Sequence, residues 1–121
     1  MISLNYRDTR PIYEQIRENL RDLILSGGLE PGEKLPSVRE LAVQLAINPN
    51  TIQRAYRELE ADGYIYSVPG KGSFAAGGKE VMKKRKRELM RSLEQVVCEL
   101  EKIGVARDDI AKIVREGGTK L

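Results

Sequence analysis

Asn50, Gln53, Arg54 and Arg57 recur at i, i+3, i+4 and i+7, the spacing that aligns side chains on one face of an α-helix. Ile52, Ala55, Tyr56 and Leu59 fall between them and form the opposite, apolar stripe. The polar types suit base and phosphate recognition. Asn and Gln can pair bidentately with adenine, and Arg can reach guanine or a phosphate oxygen. The same face would also serve solubility alone, and the segment in isolation does not exclude that reading.

A helix of this kind needs a frame. Ser37 can cap a preceding short helix, with Glu40 three residues on completing a capping box. Val38, Leu41, Ala42 and Leu45 then repeat at helical spacing and face a core. Ala46-Ile47-Asn48 breaks that helix. Asn48 can cap the next one and Pro49 fits its first turn, where a missing amide hydrogen costs nothing. Helix, tight turn, helix is the arrangement that lowers its second member into a DNA major groove. That second helix is expected to run to Asp62 and to be closed by Gly63.

Tyr64 to Val68 is β-branched and aromatic, Pro69 to Gly72 is a turn, and Ser73-Phe74-Ala75 returns as a second strand. A hairpin directly after the two-faced helix reads as a wing. Its tip sets Lys71 between Gly70 and Gly72, which permits close approach of backbone to sugar and phosphate. An ordinary hairpin would use the same glycines only to turn. The spaced first glycine of a P-loop is missing here. Upstream, Asp8, Thr9 or Arg10 precedes Pro11, which is expected in the first turn of a helix ending at Gly27-Gly28. Ile12, Ile16, Leu20, Leu23 and Ile24 give that helix its stripe, and Arg17 and Arg21 are expected in solvated pairs with Glu14, Glu18 and Asp22. Leu29 to Leu35 turns around Pro31-Gly32 and can add a minimal strand beside the hairpin. Ile2 to Tyr6 alternates as a brief extended arm.

Composition excludes several classes. The 121 residues contain no His and a single Cys, so neither a disulfide framework nor a structural zinc site has ligands. No Ser stands beside a base and no carboxylate pair flanks a pocket, so no enzyme, catalytic residue, metal site or cofactor is expected. No long apolar run spans a membrane and no secretory signal opens the chain, which points to the cytoplasm. The net charge of +3 and pI near 9.1 favour a polyanionic partner. Residues 1–78 nevertheless carry nine Lys or Arg against ten Asp or Glu, so attraction must come from the clustering of Arg39, Arg54, Arg57 and Lys71.

Ala76-Gly77-Gly78 reads as a flexible joint before a helix from Lys79 to about Ile103. Val81, Met82, Leu89, Leu93, Val96 or Val97, Leu100 and Ile103 recur at helical spacing, and the stripe holds for about four turns from Leu89 as a seam for another helix. Gly104 stops it. Asp108 or Asp109 starts a last helix with Ile110, Ile113 and Val114 on one side, ending at Gly117-Gly118, with Thr119-Lys120-Leu121 expected to fray. Two helices make a poor core alone, so their stripes must pack on the first domain or, as favoured here, on a second copy. Cys98 is expected as a small buried hydrophobe among Val96, Val97 and Leu100. The run Lys83-Lys84-Arg85-Lys86-Arg87 either adds sequence-independent attraction to DNA or is the solvated start of the dimer helix.

The segment from Pro31 to Ala42, with Asn50-Thr51-Ile52, Arg54-Ala55-Tyr56, Leu59, Gly63-Tyr64-Ile65 and Gly70-Lys71-Gly72-Ser73-Phe74, resembles the winged-helix domain of the GntR family of bacterial transcription regulators. The resemblance covers roughly residues 9 to 76, and the short tail is similar to the YtrA-type subgroup. It implies a homodimeric repressor of its own operon and of genes for ABC export systems, with double-stranded operator DNA as partner. It further implies that Arg39 grips phosphate or reaches the groove, that the Thr51 hydroxyl holds the backbone at the start of the recognition helix, and that Gly70 lies where the wing enters the minor groove. Gln53 and Pro49 depart from frequent arginines of the family, so a different operator is expected, with adenine as the contact of Gln53. The tail is too short to enclose an ordinary ligand pocket unless a dimer interface forms one, which leaves an effector unidentified.

The expected fold is mainly α with a small β-hairpin wing. A winged helix-turn-helix domain at residues 1–76 is followed by two C-terminal dimerisation helices at 77–121. The DNA-binding set is Ser37, Arg39, Asn50, Thr51, Gln53, Arg54, Arg57, Gly70, Lys71 and Gly72. The dimerisation set is Leu89, Leu93, Val96, Val97, Leu100, Ile103, Ile110, Ile113 and Val114. The rival class is an architectural or nucleoid-associated binder with little sequence preference.

Overall fold

The apolar periodicities fold as helices around one small core. The computed structural model describes residues 2–117, so the expected fraying of Thr119 to Leu121 lies outside the described residues. In chain order they form α1 (Ile12–Ser26), α2 (Val38–Leu45), α3 (Pro49–Ala61), β1 (Ile65–Val68), β2 (Gly72–Ala75), α4 (Lys79–Lys102) and α5 (Arg107–Glu116). The chain divides into two compact units, one ending at Met82 and the other beginning at Lys83.

In the first unit, Ile16, Leu20 and Ile24 of α1 meet Leu41 and Ala42 of α2 and Ile52, Ala55, Tyr56 and Leu59 of α3 in a single buried cluster. Burying a Leu or Ile side chain contributes about 1.5–3 kcal/mol, so this cluster is what holds the three helices together. Local chemistry sets the helix ends. Gly27 takes φ +86° at the end of α1 and donates its N–H to Ile24 O. Ser37 Oγ accepts from Glu40 N at 3.0 Å, and Asn48 Oδ1 accepts from Asn50 N at 2.8 Å. Ala46 ends α2 in the left-handed region at φ +55°, the one non-glycine residue there among the described residues.

Strands β1 and β2 pair antiparallel, with Ile65 opposite Ala75 and Val68 opposite Gly72. Tyr66 and Phe74 stack across the hairpin with ring centroids 5.7 Å apart. The expected minimal strand is present. Lys34 bridges Phe74, Leu35 N donates to Ser73 O, and Ala75 N donates to Glu33 O.

Several local expectations need correction. Pro11 is the N-cap of α1 and not part of its first turn, and no side chain caps that end. Asp8 is occupied instead with Arg10, accepting from both its backbone N–H and its guanidinium. Helix α5 begins at Arg107, with Asp108 and Asp109 inside the first turn, where their charge opposes the helix dipole favourably. Gly77 is no mere joint, because a Cβ there would lie 2.5 Å from Pro31 Cγ, and Ala76 N donates to Tyr64 O. Val81 belongs to the core of the first unit, which agrees with a seam expected only from Leu89 onward. A buried residue the sequence reading missed is Gln15. It accepts from Asn5 N and donates to Asn5 O, tying the arm to α1, and Asn19 adds a bond to Ser3 O.

The second unit is built differently. Among its described residues none is buried. Leu89, Met90, Leu93 and Val96 on α4 and Ile113 and Val114 on α5 are exposed, Val97, Leu100 and Ile110 are half-buried, and Ile103 is 79% exposed. Cys98 is exposed, not buried, because nothing in this unit closes over that helix. No described helix is long and apolar enough to cross a membrane.

Candidate nucleic-acid interface

Helix α3 carries the candidate site because its two faces part cleanly. Ile52, Ala55, Tyr56 and Leu59 are buried, while Asn50, Gln53, Arg54 and Arg57 are exposed. The angle of α3 against the start of α2 is held by Tyr56, whose hydroxyl donates to Pro36 O at 2.7 Å. Burial, and then the negative charge of Glu40, push the Tyr56 phenol well above its ordinary pKa, so it stays a donor.

At the start of α2, Ser37 and Arg39 are exposed and edge a shallow groove with Glu40, Val43 and Gln44. The capping bond uses an oxygen lone pair of Ser37, which leaves its hydroxyl hydrogen to donate outward. Thr51 is half-buried in the first turn of α3. Gly70 takes φ +75° at the wing tip with open space around it, so the turn conformation and not packing demands glycine there. Lys71 is exposed beside it. Gly72, at φ +118°, leaves room for the stem of Lys34, whose Cε would lie 3.0 Å from an added Cβ. Lys34 is thus a second cation at the wing, legible only once the extra bridge to Phe74 is known.

Among the described residues, Arg39, Asn50, Gln53, Arg57 and Lys71 make no side-chain hydrogen bond or ion pair, so their donors are available to a ligand. Arg54 differs. Its guanidinium lies 3.7 Å from the centroid of the Tyr13 ring, Nη2 donates to Tyr13 Oη at 3.1 Å, and Nε donates to Glu58 at 3.3 Å. Glu58 also accepts from Arg17 of α1, so Arg17 reaches across to α3 and is not confined to acids of its own helix. Partial desolvation pulls the Glu58 pKa upward, but the hydrogen bonds from Arg17 and Arg54 outweigh it and hold the carboxyl below its ordinary value. Neither unit brings together three His, Cys, Asp or Glu side chains able to hold a metal among the described residues.

The model for bacterial regulatory proteins of the gntR family matches residues 12–75, the span from α1 through the wing. The HTH-type transcriptional repressor YtrA of Bacillus subtilis is 36% identical over 118 residues, covering 96% of this chain and 91% of its own length. A transcriptional regulator from Oenococcus oeni has a similar solved structure, with TM-score 0.72 and 38% identity over 96% of this chain and 98% of that one. The AraR DNA-binding domain, solved in complex with operator ORE1, superposes at TM-score 0.54 with 33% identity, covering 63% of this chain and 93% of that domain. A two-faced α3 followed by a glycine-tipped hairpin is therefore the reading head of a winged helix, and the chain belongs to the GntR family of bacterial regulatory proteins as a DNA-binding transcription regulator and not an enzyme.

Proposed function

We propose that the chain is a homodimeric repressor that binds an operator upstream of its own operon, with genes for an ABC transporter among its targets. Residues 1–76 form the DNA-binding domain and residues 77–121 the dimerisation tail. The observation that carries the reading is the uncommitted polar row Asn50, Gln53 and Arg57 on a helix whose other face is wholly buried. In this reading Gln53 pairs with adenine in the major groove, Asn50 and Arg57 contact neighbouring base edges or phosphates, and Ser37, Arg39 and Thr51 grip the backbone. Arg54 adds charge at the flank, and Gly70-Lys71-Gly72 brings the wing to the minor groove. AraR in complex with its operator supports the mode of docking.

Dimerisation is supported by the second unit. Helices without a buried residue do not hold a fold alone, and the exposed seam of Leu89, Leu93, Val96, Val97, Leu100 and Ile103 with Ile110, Ile113 and Val114 fits a second copy of itself. An ordinary stable interface hides roughly 800 Å² per partner, which a pair of such helices can supply. Two reading heads then address a palindromic site at helical-turn spacing. A small-molecule effector of unidentified chemistry would act by changing that spacing.

Competition binding tests the proposal. At about 150 mM salt, its own upstream DNA should be preferred over random duplex by at least about a thousandfold. Gln53→Ala should relax preference at one base pair, whereas Lys71→Ala should weaken all duplexes alike and lower the salt slope by about one. Uniform loss in both variants would remove Gln53 from direct reading. The rival reading, an architectural binder of low specificity, is favoured by the run from Lys83 to Arg87 on α4. There Lys83, Lys86, Arg87 and Arg91 edge one groove, and a preference under about tenfold would select that rival.

A further inference from the structure

One carboxylate holds two guanidinium groups on the flank of the recognition helix. We propose that Glu58 is an internal stand-in for a DNA phosphate, occupying a two-arginine anion site made by Arg17 and Arg54 that a backbone phosphate takes over when the operator binds. This inference rests on the reading that α3 enters the major groove.

The chemistry of the site fits. Carboxylate and phosphate oxygens accept the same charge-assisted bonds from guanidinium donors, and Arg is the residue that forks onto either. The trio lies at the surface, with side chains of Arg17, Arg54 and Glu58 exposed by 24%, 59% and 33%. A phosphate can therefore reach it without opening the core. The bond from Arg54 Nε to Glu58 is long at 3.3 Å, while Tyr13 fixes the guanidinium plane from below and leaves Nη1 of Arg54 outside the bonds to Glu58 and Tyr13. A cation already held in place loses less freedom on binding, so the site is prepared for its ligand.

Position on the helix points the same way. Asn50, Gln53 and Arg57 define the outward face of α3, and Glu58 stands one residue past Arg57, rotated toward α1, from which Arg17 arrives. A helix lying in the major groove has a sugar-phosphate strand along each flank, and this flank presents two arginines bridged by Glu58, with Glu14 and Glu18 of α1 also acting on Arg17. A two-arginine site that is already partly self-filled binds DNA without gripping every phosphate it meets. Glu58 thus tempers the sequence-independent part of the affinity.

A simple brace between α1 and α3 makes a different prediction. Breaking a brace from either end weakens binding by the same loss of order. Removing a stand-in anion and removing one of the arginines have opposite signs. The test measures binding of the full chain to its own upstream DNA and to a random-sequence duplex across a salt series. Glu58→Gln should tighten both duplexes about fivefold near 0.15 M salt and steepen the salt slope by about one. Arg17→Gln should loosen both by about the same factor and flatten the slope by about one. Glu18→Gln, which removes an α1 carboxylate that pairs with Arg10 and acts on Arg17 only through space, should change affinity by less than about twofold.

The ratio of operator to random binding should stay unchanged throughout, because a phosphate site carries no base information. Thermal melts check folding. If Glu58→Gln melts too low to measure, Glu58→Asp, whose shorter arm cannot hold both arginines, should give a smaller gain of the same sign. Weakening by both Glu58→Gln and Arg17→Gln overturns the inference in favour of a brace, and an equal gain in Glu18→Gln overturns it in favour of a diffuse field. If the unaltered chain binds no duplex, the groove reading falls and takes this inference with it. That outcome is distinct, because it appears before any variant is compared.

Discussion

Replacing Tyr56 by Phe removes one oxygen atom and tests whether a single hydrogen bond sets the two reading helices against each other. The Tyr56 side chain is buried, and its hydroxyl donates to Pro36 O at 2.7 Å, next to the Ser37 cap of α2. The lost bond is worth about 0.5–1.5 kcal/mol net, and a carbonyl left unpaired in a dry site costs about 1–3 kcal/mol. Pro36 is only half-buried, so water can recover part of that cost. We expect a loss of about 1–1.5 kcal/mol. Urea unfolding followed by circular dichroism, at one fixed protein concentration, should show a midpoint lower by roughly 0.5–1 M with an unchanged slope.

An alkaline readout is independent of that measurement. The folded pKa of Tyr56 is raised, so its contribution is fully present below the unfolded value of about 10 and is lost as pH climbs toward the folded one. The parent should therefore lose more stability above about pH 10 than the Phe variant does. A variant within about 0.3 kcal/mol of the parent, with the same alkaline limb, would refute the reasoning. It would mean that packing of Ile52, Ala55 and Leu59 alone holds α3 in place.

Ala46→Gly should raise stability by up to about 1 kcal/mol, since a left-handed alanine costs about 1–2 kcal/mol and part of the gain is offset by the freer unfolded chain. The urea midpoint checks it, and a fall would show that the Ala46 methyl is needed by its surroundings. On the proposed dimer, Leu93→Glu, placed mid-seam, should convert the sedimenting species from dimer to monomer mass and weaken operator binding by at least about a hundredfold, the scale set by losing one of two half-sites. A dimer mass unchanged in the variant would move the contact off this seam, and a monomer mass in the parent would refute the proposed dimer. Because the Glu58 carboxyl is held below its ordinary pKa, its stabilisation is complete above about pH 4.3 and is lost as pH falls through the folded value. Glu58→Gln should accordingly flatten the acid limb of a stability-pH profile below about pH 4.5, and an unaltered limb would show that the ion pairs add nothing to stability.

Much of the reader was legible in the sequence because its signals are local. A capping Ser or Asn, a left-handed Gly, and apolar side chains three and four apart act within a few residues, so α2, α3, the wing and the outward position of Asn50, Gln53 and Arg57 followed directly. The family resemblance of residues 9 to 76 was sound for the same reason, since spacing along these elements carries it. Tertiary structure decided what neighbours in the chain could not. Arg17 and Arg54 join α1 to α3 across 41 positions: Arg17 passes over the nearer Glu14 and Glu18 to reach Glu58, and Arg54 adds Tyr13 to its i,i+4 partner Glu58. Val81 was drawn into the first core, Gly77 was pinned against Pro31, and Cys98 was left uncovered. Periodicity states that a side chain is apolar and which face it occupies. Only packing, which sums weak contacts over surfaces distant in sequence, determines which surface covers that face and which charge a guanidinium meets.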